Sequence, residues 1–156
     1  MKKKLKNAAV LVLSFALTGM VLTGCGEGKE EIRQEPDVEI SQDYEDNFAV
    51  DSEAAKEFAV KVKEITAKKD LEALAEFTAF PVYVGLPDVD VVETREDFLN
   101  LGAETVFTEK LMKSVETADI EHFEPSMAGF SISDGGSSNI NFGVVDGRLA
   151  INGINY

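Results

Sequence analysis

The single cysteine of this 156-residue chain lies at position 25, directly after a segment with the pattern of a secretory signal. A basic run over residues 2–6 precedes an apolar stretch from Ala8 to Val21. That stretch is shorter than the roughly 20 residues that a helix needs to cross a bilayer. Positive charge, then apolar residues, then small residues is the order of a signal peptide. With one cysteine, no intrachain disulfide can form, so the rest of the chain has to fold around an apolar core.

The residues at the end of this segment favour a particular kind of cleavage site. Leu22, Thr23, Gly24 and Cys25 resemble the lipobox of bacterial lipoproteins. The resemblance implies that Cys25 carries a diacylglyceryl thioether and becomes the first residue of the mature protein. Two acyl chains hold a protein stably at a membrane, whereas one does so only marginally. We therefore expect an extracytoplasmic protein, lipid-anchored to the bacterial cell membrane. An uncleaved segment, or an ordinary secretory signal with a cysteine nearby, is the alternative.

The charge of the chain limits its partners. The formal net charge is −14, and residues 1–24 contain four lysines and no acidic residue, so cleavage would bring it to −18. Such an acidic surface argues against binding to nucleic acid and against lying flat on anionic lipid. Solubility outside a cell explains the charge, and recruitment of a basic partner is the other explanation.

Residues 26–50 have the composition of a flexible spacer. They contain nine acidic residues against Lys29 and Arg33, and too few apolar residues to form a core. Such a chain spans about 25–30 Å, and docking of Tyr44 and Phe48 on the domain would shorten it. We therefore expect three parts: a signal peptide at 1–24, the lipidated cysteine and acidic flexible spacer at 25–50, and one domain at 51–156.

Helical spacing begins in the domain at about residue 51. Apolar residues over 55–66 form one stripe of an amphipathic helix, and Asp51 or Ser52 can cap its first turn. Thr94 and Thr108 are expected to cap two further short helices, each followed by apolar residues at helical spacing. The first half of the domain is therefore predicted to be mainly helical.

A second helix is predicted to follow, with Asp70 as its N-cap. It is expected to end near Ala79, because Pro81 disfavours helical backbone in the residue before it. Residues 82–84 are then predicted to form a short strand. In residues 88–93, acidic residues alternate with valines, which fits either a loop or an edge strand.

Alternation with a period of two dominates the C-terminal third. It predicts strands at 120–123, 128–132 and 140–144. Asp146-Gly147 is a strong hairpin signal, and Gly153 is expected to mark a β-bulge because the apolar residues after it are out of phase. Helices followed by strands indicate an α+β fold. We expect N-terminal helices packed on a curved antiparallel sheet.

This order of elements resembles that of a known superfamily. A helical pair, a Phe-Pro strand, a short helical insertion and closing strands resemble the nuclear transport factor 2-like superfamily, the cystatin-like α+β cone. The resemblance covers about residues 51–156 and is carried by Phe80–Val84, Glu96–Leu99, Val106–Thr108 and Asp146–Ile151. It implies a strongly curved sheet around the long helices, often with a pocket at the open end. Isomerases, dehydratases and small-ligand binders share this fold, so the fold alone does not decide the function.

Candidate pocket residues are large or titratable side chains that could line such a cone. They are Phe58, Phe77, Tyr83, Phe107 and His122. The orientation of Tyr83 depends on the phase of its strand. If Val82 and Val84 face the core, Tyr83 faces the opposite surface; in the reverse phase, its hydroxyl lines the mouth of the pocket.

Catalysis in such a cone needs an acid–base residue in a dry pocket and a donor for a developing oxyanion. His122 is expected to point outwards, because its neighbour Phe123 is expected to face the core. We therefore assign no catalytic residue, metal site or cofactor. The leading hypothesis is a non-catalytic envelope domain that binds a small apolar ligand or a protein partner. The alternatives are an isomerase- or dehydratase-like enzyme and a structural or interaction module without a cavity.

Overall fold

The computed structural model describes residues 43–156. The predicted signal peptide, the lipidation site at Cys25 and the spacer up to residue 42 lie outside the described residues. The described part is α+β. Its helices are a 3₁₀ helix at Asn47–Ala49, α1 at Ser52–Lys68, α2 at Leu71–Glu76, α3 at Arg95–Asn100, α4 at Ala103–Val106 and α5 at Glu109–Thr117. Its strands are β1 at Thr78–Leu86, β2 at Val89–Val92, β3 at Phe130–Ile132, β4 at Asn139–Val145 and β5 at Arg148–Asn155. Within this range no helix has the length and apolar character that spanning a bilayer requires.

The predicted helix caps are confirmed. Asp51, Asp70, Thr94 and Thr108 each accept a hydrogen bond from the backbone N–H three residues further on, at 2.8–3.2 Å. Each bond satisfies one of the N–H groups that the first turn of a helix leaves without a partner. The starts of α1, α2, α3 and α5 are therefore set by single side chains.

The five strands form one sheet in the order β2-β1-β5-β4-β3. Three of its four strand pairs are antiparallel, but β1 and β5 run parallel. The expectation of an antiparallel sheet is therefore wrong for its central pair. A parallel pair needs a long crossover connection. Here β2, α3, α4, α5 and the β3–β4 hairpin together form it.

The second helix is shorter than predicted, and the strand after it is longer. α2 ends at Glu76 rather than near Ala79. The hydroxyl of Thr78 donates to the carbonyl of Leu74 at 2.8 Å, and the N–H of Ile151 in β5 donates to the carbonyl of Phe77 at 2.8 Å. The chain thus joins the sheet directly after the helix, because β5 offers a pairing partner there. Of the two alternatives for residues 88–93, the edge strand is correct, as β2.

The predicted strand at 120–123 is wrong. This stretch is a loop, in which Asp119 accepts a hydrogen bond from the N–H of Glu121 at 2.9 Å. Such a local side-chain contact competes with strand pairing. Phe123 nevertheless faces the core, with its ring 5.8 Å from that of Phe130 and 5.6 Å from that of Phe142. The alternation therefore predicted correctly that Phe123 faces the core, although these residues do not form a strand.

The hairpin turn and the bulge of the last strand are confirmed. Asp146 and Gly147 join β4 to β5 with φ angles of +51° and +78°, the left-handed values that a type I′ turn requires. Further along, Asn141 pairs with Gly153 and Phe142 pairs with Ile151. β5 therefore contains one extra residue, Asn152, next to the glycine that marked the bulge.

Residues 43–50, which the sequence assigns to the spacer, pack against the domain. Tyr44 is half-buried against the core, and its N–H donates to the carbonyl of Gly147 at 2.9 Å. Val50 is buried. The docking considered for Tyr44 is therefore observed, whereas Phe48 is 61% exposed.

Asn47 fixes this N-terminal segment to two parts of the domain. Its Oδ1 accepts a hydrogen bond from the N–H of Val144 in β4 at 2.7 Å. Its Nδ2 donates to the carbonyls of Ser126 and Met127 at 3.2 and 3.1 Å. One side chain thus joins the segment, the sheet and the turn before β3.

Candidate functional site

A groove runs between α1 and α5. Its volume is about 420 Å³, within the range of small-molecule sites. The residues that line it are Lys63, Glu64, Thr66 and Ala67 from α1, and Met112, Val115 and Glu116 from α5. We take this groove as the candidate functional site of the described residues.

The floor of the groove follows from the residue types of the two helices. Val115 is buried and Met112 is half-buried on the side of α5 that faces α1. The opposing residues of α1 are Thr66 and Ala67, which are too small to fill the space above a methionine. Small residues facing larger ones therefore leave an apolar depression where the helices would otherwise be in close contact.

Thr66 gives this floor one polar point. The residue is 1% exposed, and within residues 43–156 its Oγ1 has no hydrogen-bond partner. A buried hydroxyl without a partner costs about 1–3 kcal/mol. The oxygen itself is buried, so a ligand in the groove would reach it only after the Thr66 side chain rotated.

Charged side chains occupy the rim. Lys63 donates from Nζ to the carbonyl of Ala118 at 2.9 Å, just after the last turn of α5. Glu64 and Glu116 are exposed. The groove therefore has a charged rim around an apolar floor.

The predicted pocket phenylalanines lie in the core rather than around the groove. Phe58 packs against Phe77 with ring centroids 5.6 Å apart, and it stacks on Phe142 at 4.8 Å. Phe107 is buried directly after α4. None of the three lines the groove.

Tyr83 lies on the outer face of the sheet. Val82 and Val84 on either side of it are fully buried, and Tyr83 is 45% exposed. Of the two orientations considered, the one in which Tyr83 faces away from the core is therefore correct. Its ring extends along the strand over Gly85, where an added Cβ would lie 3.1 Å from the tyrosine hydroxyl.

His122 lies in the loop after α5, and its side chain points outwards as predicted, with 85% exposure. Its Nδ1 is 3.3 Å from Oδ2 of Asp119. The N–H of Glu121 and, second, the contact with His122 hold the pKa of the Asp119 carboxyl below its usual value. This carboxylate therefore organises an exposed turn, and neither it nor His122 lines the groove.

Tyr156 has a strongly shifted titration. Burial raises the pKa of its hydroxyl well above the ordinary value of 10.0, because the interior disfavours a phenolate. The hydroxyl donates to the carbonyl of Val106 at 3.0 Å. It therefore fixes the C-terminal residue to the end of α4, which is a structural role.

The groove residues did not stand out in the sequence. Thr66 belongs to the apolar stripe of α1, and Met112 is one of the apolar residues at helical spacing after Thr108, so the pattern predicts a core position for both. The available signal was the hydroxyl itself, a polar atom at a position that helical spacing places in the interior. No spacing rule connects it to α5, because that contact is made only in the folded domain.

The comparisons add no relative. Comparison of the chain with models of protein families, with curated proteins and with solved structures finds no match. Residues 43–156 contain no group of three or more His, Cys, Asp or Glu side chains placed to hold a metal ion.

Proposed function

We propose that this protein is a bacterial lipoprotein, anchored outside the cell membrane through lipid on Cys25, whose domain binds a small apolar ligand without transforming it. The observation that carries the binding proposal is the apolar groove between α1 and α5, with Thr66, Ala67, Met112 and Val115 among the residues that line it. The motif that ends at Cys25 supports the anchor.

The chemistry of the groove favours binding over catalysis. The groove's titratable side chains, Lys63, Glu64 and Glu116, stand at its rim, and the ammonium of Lys63 donates to a backbone carbonyl. A mainly apolar floor below a charged rim suits a compact, mainly apolar ligand.

We further propose that the domain has the nuclear transport factor 2-like fold. The order of its elements supports this proposal: two helices, a strand that contains Phe80-Pro81, a short edge strand, short helices, and three strands that close the sheet. A solved structure of the protein tests this proposal. Superposition on that superfamily's cone would support it, and a sheet whose strand order differs from the cone's would contradict it.

The anchor is tested with Cys25→Ser in the producing bacterium. We expect wild-type protein to incorporate labelled palmitate and to sediment with membranes. Cys25→Ser is expected to lose the label and either to appear in the medium or to remain as uncleaved precursor. A Cys25→Ser protein that stays membrane-bound at the mature size would refute the lipoprotein proposal.

The groove is tested with Ala67→Trp and the neutral apolar fluorophore N-phenyl-1-naphthylamine. Ala67 is exposed at the edge of the groove, so an indole there fills the space without overpacking the core. We expect saturable fluorescence enhancement with the wild type. The affinity of Ala67→Trp for the fluorophore should be lower by about tenfold or more, which is a loss of about 1.4 kcal/mol or more in binding free energy.

The matched control is Val60→Trp, which places the same side chain at an exposed position of α1 that does not line the groove. This variant should bind the fluorophore as the wild type does. Equal binding by Ala67→Trp and Val60→Trp would show that the fluorophore does not occupy the groove.

A further inference from the structure

The outer face of the sheet, opposite the buried core, carries an unusual set of side chains. Strand pairing places five residues in one row across all five strands. In sheet order they are Val91, Tyr83, Gly153, Asn141 and Ser131. We call the open part of this surface the amide face and define it by the side chains of Tyr83, Ser131, Asn139, Asn141, Asn152 and Asn155.

The alternation of the strands explains why these side chains point outwards. Ile140 and Phe142, on either side of Asn141, are fully buried, and so is Ile154 next to Asn155. On β3, Ser131 lies between two buried residues. The amide face is therefore the solvent side of strands whose other side forms the core.

The amide face lacks charge in a strongly charged protein. Charged residues make up 28% of the chain, and its net charge is −14. None of the six side chains that define the face is a carboxylate, an ammonium or a guanidinium group. An anionic or cationic partner would find no opposite charge on these side chains, so the face suits a neutral partner.

The amides of the face have hydrogen-bonding capacity to spare. Asn155 donates from Nδ2 to Oδ1 of Asn139 at 2.8 Å, and Asn139 donates to the carbonyl of Ser137 at 3.2 Å. Asn141, Asn152 and the hydroxyl of Tyr83 make no side-chain hydrogen bond within residues 43–156. Each free amide offers two donors and one acceptor oxygen.

Tyr83 adds an aromatic surface beside these amides. Its ring lies along β1 over Gly85, and the residue paired with it on β5 is Gly153. Neither glycine has a side chain that could cover the ring. Towards the other end of β4 the outer face is closed, because an added Cβ at Gly143 would lie 2.7 Å from Oδ1 of Asn47. Tyr83 and Ser131 are the exposed residues of this surface, whereas Gly153 on β5 is buried and the four asparagines are half-buried.

We infer that the amide face binds a neutral oligosaccharide. Sugar hydroxyls both donate and accept hydrogen bonds, as do asparagine amides and the hydroxyls of serine and tyrosine. The C–H face of a pyranose ring packs on an exposed aromatic ring such as that of Tyr83. The binding is independent of the α1–α5 groove.

The test is isothermal titration calorimetry of the full chain with three neutral hexasaccharides: chitohexaose, cellohexaose and maltohexaose. Hexagalacturonate serves as the anionic counterpart. We expect at least one neutral hexasaccharide to bind, with an affinity about tenfold or more above that for hexagalacturonate. Failure of all three neutral sugars, or equal binding of the anionic one, would overturn the inference.

Two variants locate the site. Tyr83→Ala removes the aromatic surface, and Asn141→Asp keeps the shape of the side chain but replaces two donors by a negative charge. Each is expected to weaken the best neutral sugar about tenfold. The controls are Phe48→Ala, which removes another exposed aromatic ring, and Ala67→Trp in the groove; both should bind sugar as the wild type does.

Sedimentation analysis of the same variants distinguishes a sugar site from a contact between copies of this chain. We expect one sedimentation coefficient for the wild type, Tyr83→Ala and Asn141→Asp. If Tyr83→Ala converts a dimer into a monomer and leaves sugar binding unchanged, the amide face is a self-association surface and the inference is wrong.

Discussion

Asp134 shows how one carboxylate organises the turn before β4. Its Oδ1 accepts hydrogen bonds from the N–H of Gly136 and the hydroxyl of Ser114, both at 2.9 Å. These two donors, the backbone N–H first, hold the pKa of the Asp134 carboxyl below its ordinary value of 3.8. Ser114 is buried on α5, so its hydrogen bond to the Asp134 carboxylate links the turn to that helix.

The stability that Asp134 contributes should depend on pH. Because its folded-state pKa lies below the unfolded-state value, the contribution is complete above the unfolded-state value and is lost as the pH falls through the folded-state pKa. Asp134→Asn should therefore lower the melting temperature near pH 7, and the difference should shrink below about pH 4. Thermal unfolding by circular dichroism between pH 7 and pH 2 measures it. A difference that grows on acidification would contradict the assignment.

At the scale of residues, the role of a side chain could be predicted when its partner lies close by in the sequence. The caps Asp51, Asp70, Thr94 and Thr108 act on N–H groups three residues away, so the local sequence contains the whole interaction. The role of Thr66 depends on α5, more than 40 residues further along the chain. No local pattern reports that contact, and the groove was therefore missed.

At the scale of elements, the N-terminal segment 43–50 depends on Asn47. Replacing it by alanine removes the acceptor for the N–H of Val144 and the donor for two carbonyls. We expect Asn47→Ala to lower the free energy of unfolding by about 1–3 kcal/mol, because a half-buried backbone N–H loses its partner. Urea denaturation measures the loss, and amide exchange at Val144 should accelerate.

The control for this variant is Asn100→Ala, which truncates an exposed asparagine at the end of α3. Surface substitutions of this kind change stability by about 0.5 kcal/mol or less. If Asn47→Ala and Asn100→Ala have the same stability, the segment is held by Tyr44 and Val50 rather than by the asparagine.

Elements could be predicted where their own sequence pattern determines them. They could not be predicted where they depend on pairing with a strand that is distant in the sequence. The hairpin at Asp146-Gly147 and the bulge beside Gly153 follow from local backbone needs. The parallel pairing of β1 with β5 is set by a long crossover, which no residue pattern in either strand encodes. Residues 120–123 alternate like a strand, but the turn at Asp119 leaves them outside the sheet.

At the scale of the whole molecule, Phe142 joins the helical layer to the sheet. It is fully buried in β4, and its ring contacts those of Phe58 in α1, Phe130 in β3 and Phe123 in the loop. We expect Phe142→Ala to lower the free energy of unfolding by about 3–5 kcal/mol, a large share of the total for a domain of this size. Urea denaturation tests this.

Phe48→Ala is the matched control, because it makes the same substitution at an exposed ring. It should change the free energy of unfolding by about 0.5 kcal/mol or less. Similar losses in the two variants would mean that the aromatic cluster does not hold the helices on the sheet.

The hydrogen bonds of Tyr44 and Asn47 also determine where a mechanical pull would enter the domain. Tension applied to the chain ahead of residue 43 would reach the β4–β5 hairpin, through the carbonyl of Gly147 and the N–H of Val144, before it reached α1. Stretching from that end would first break these two bonds and the bonds from Asn47 to the carbonyls of Ser126 and Met127, while the helices and the aromatic core stayed intact.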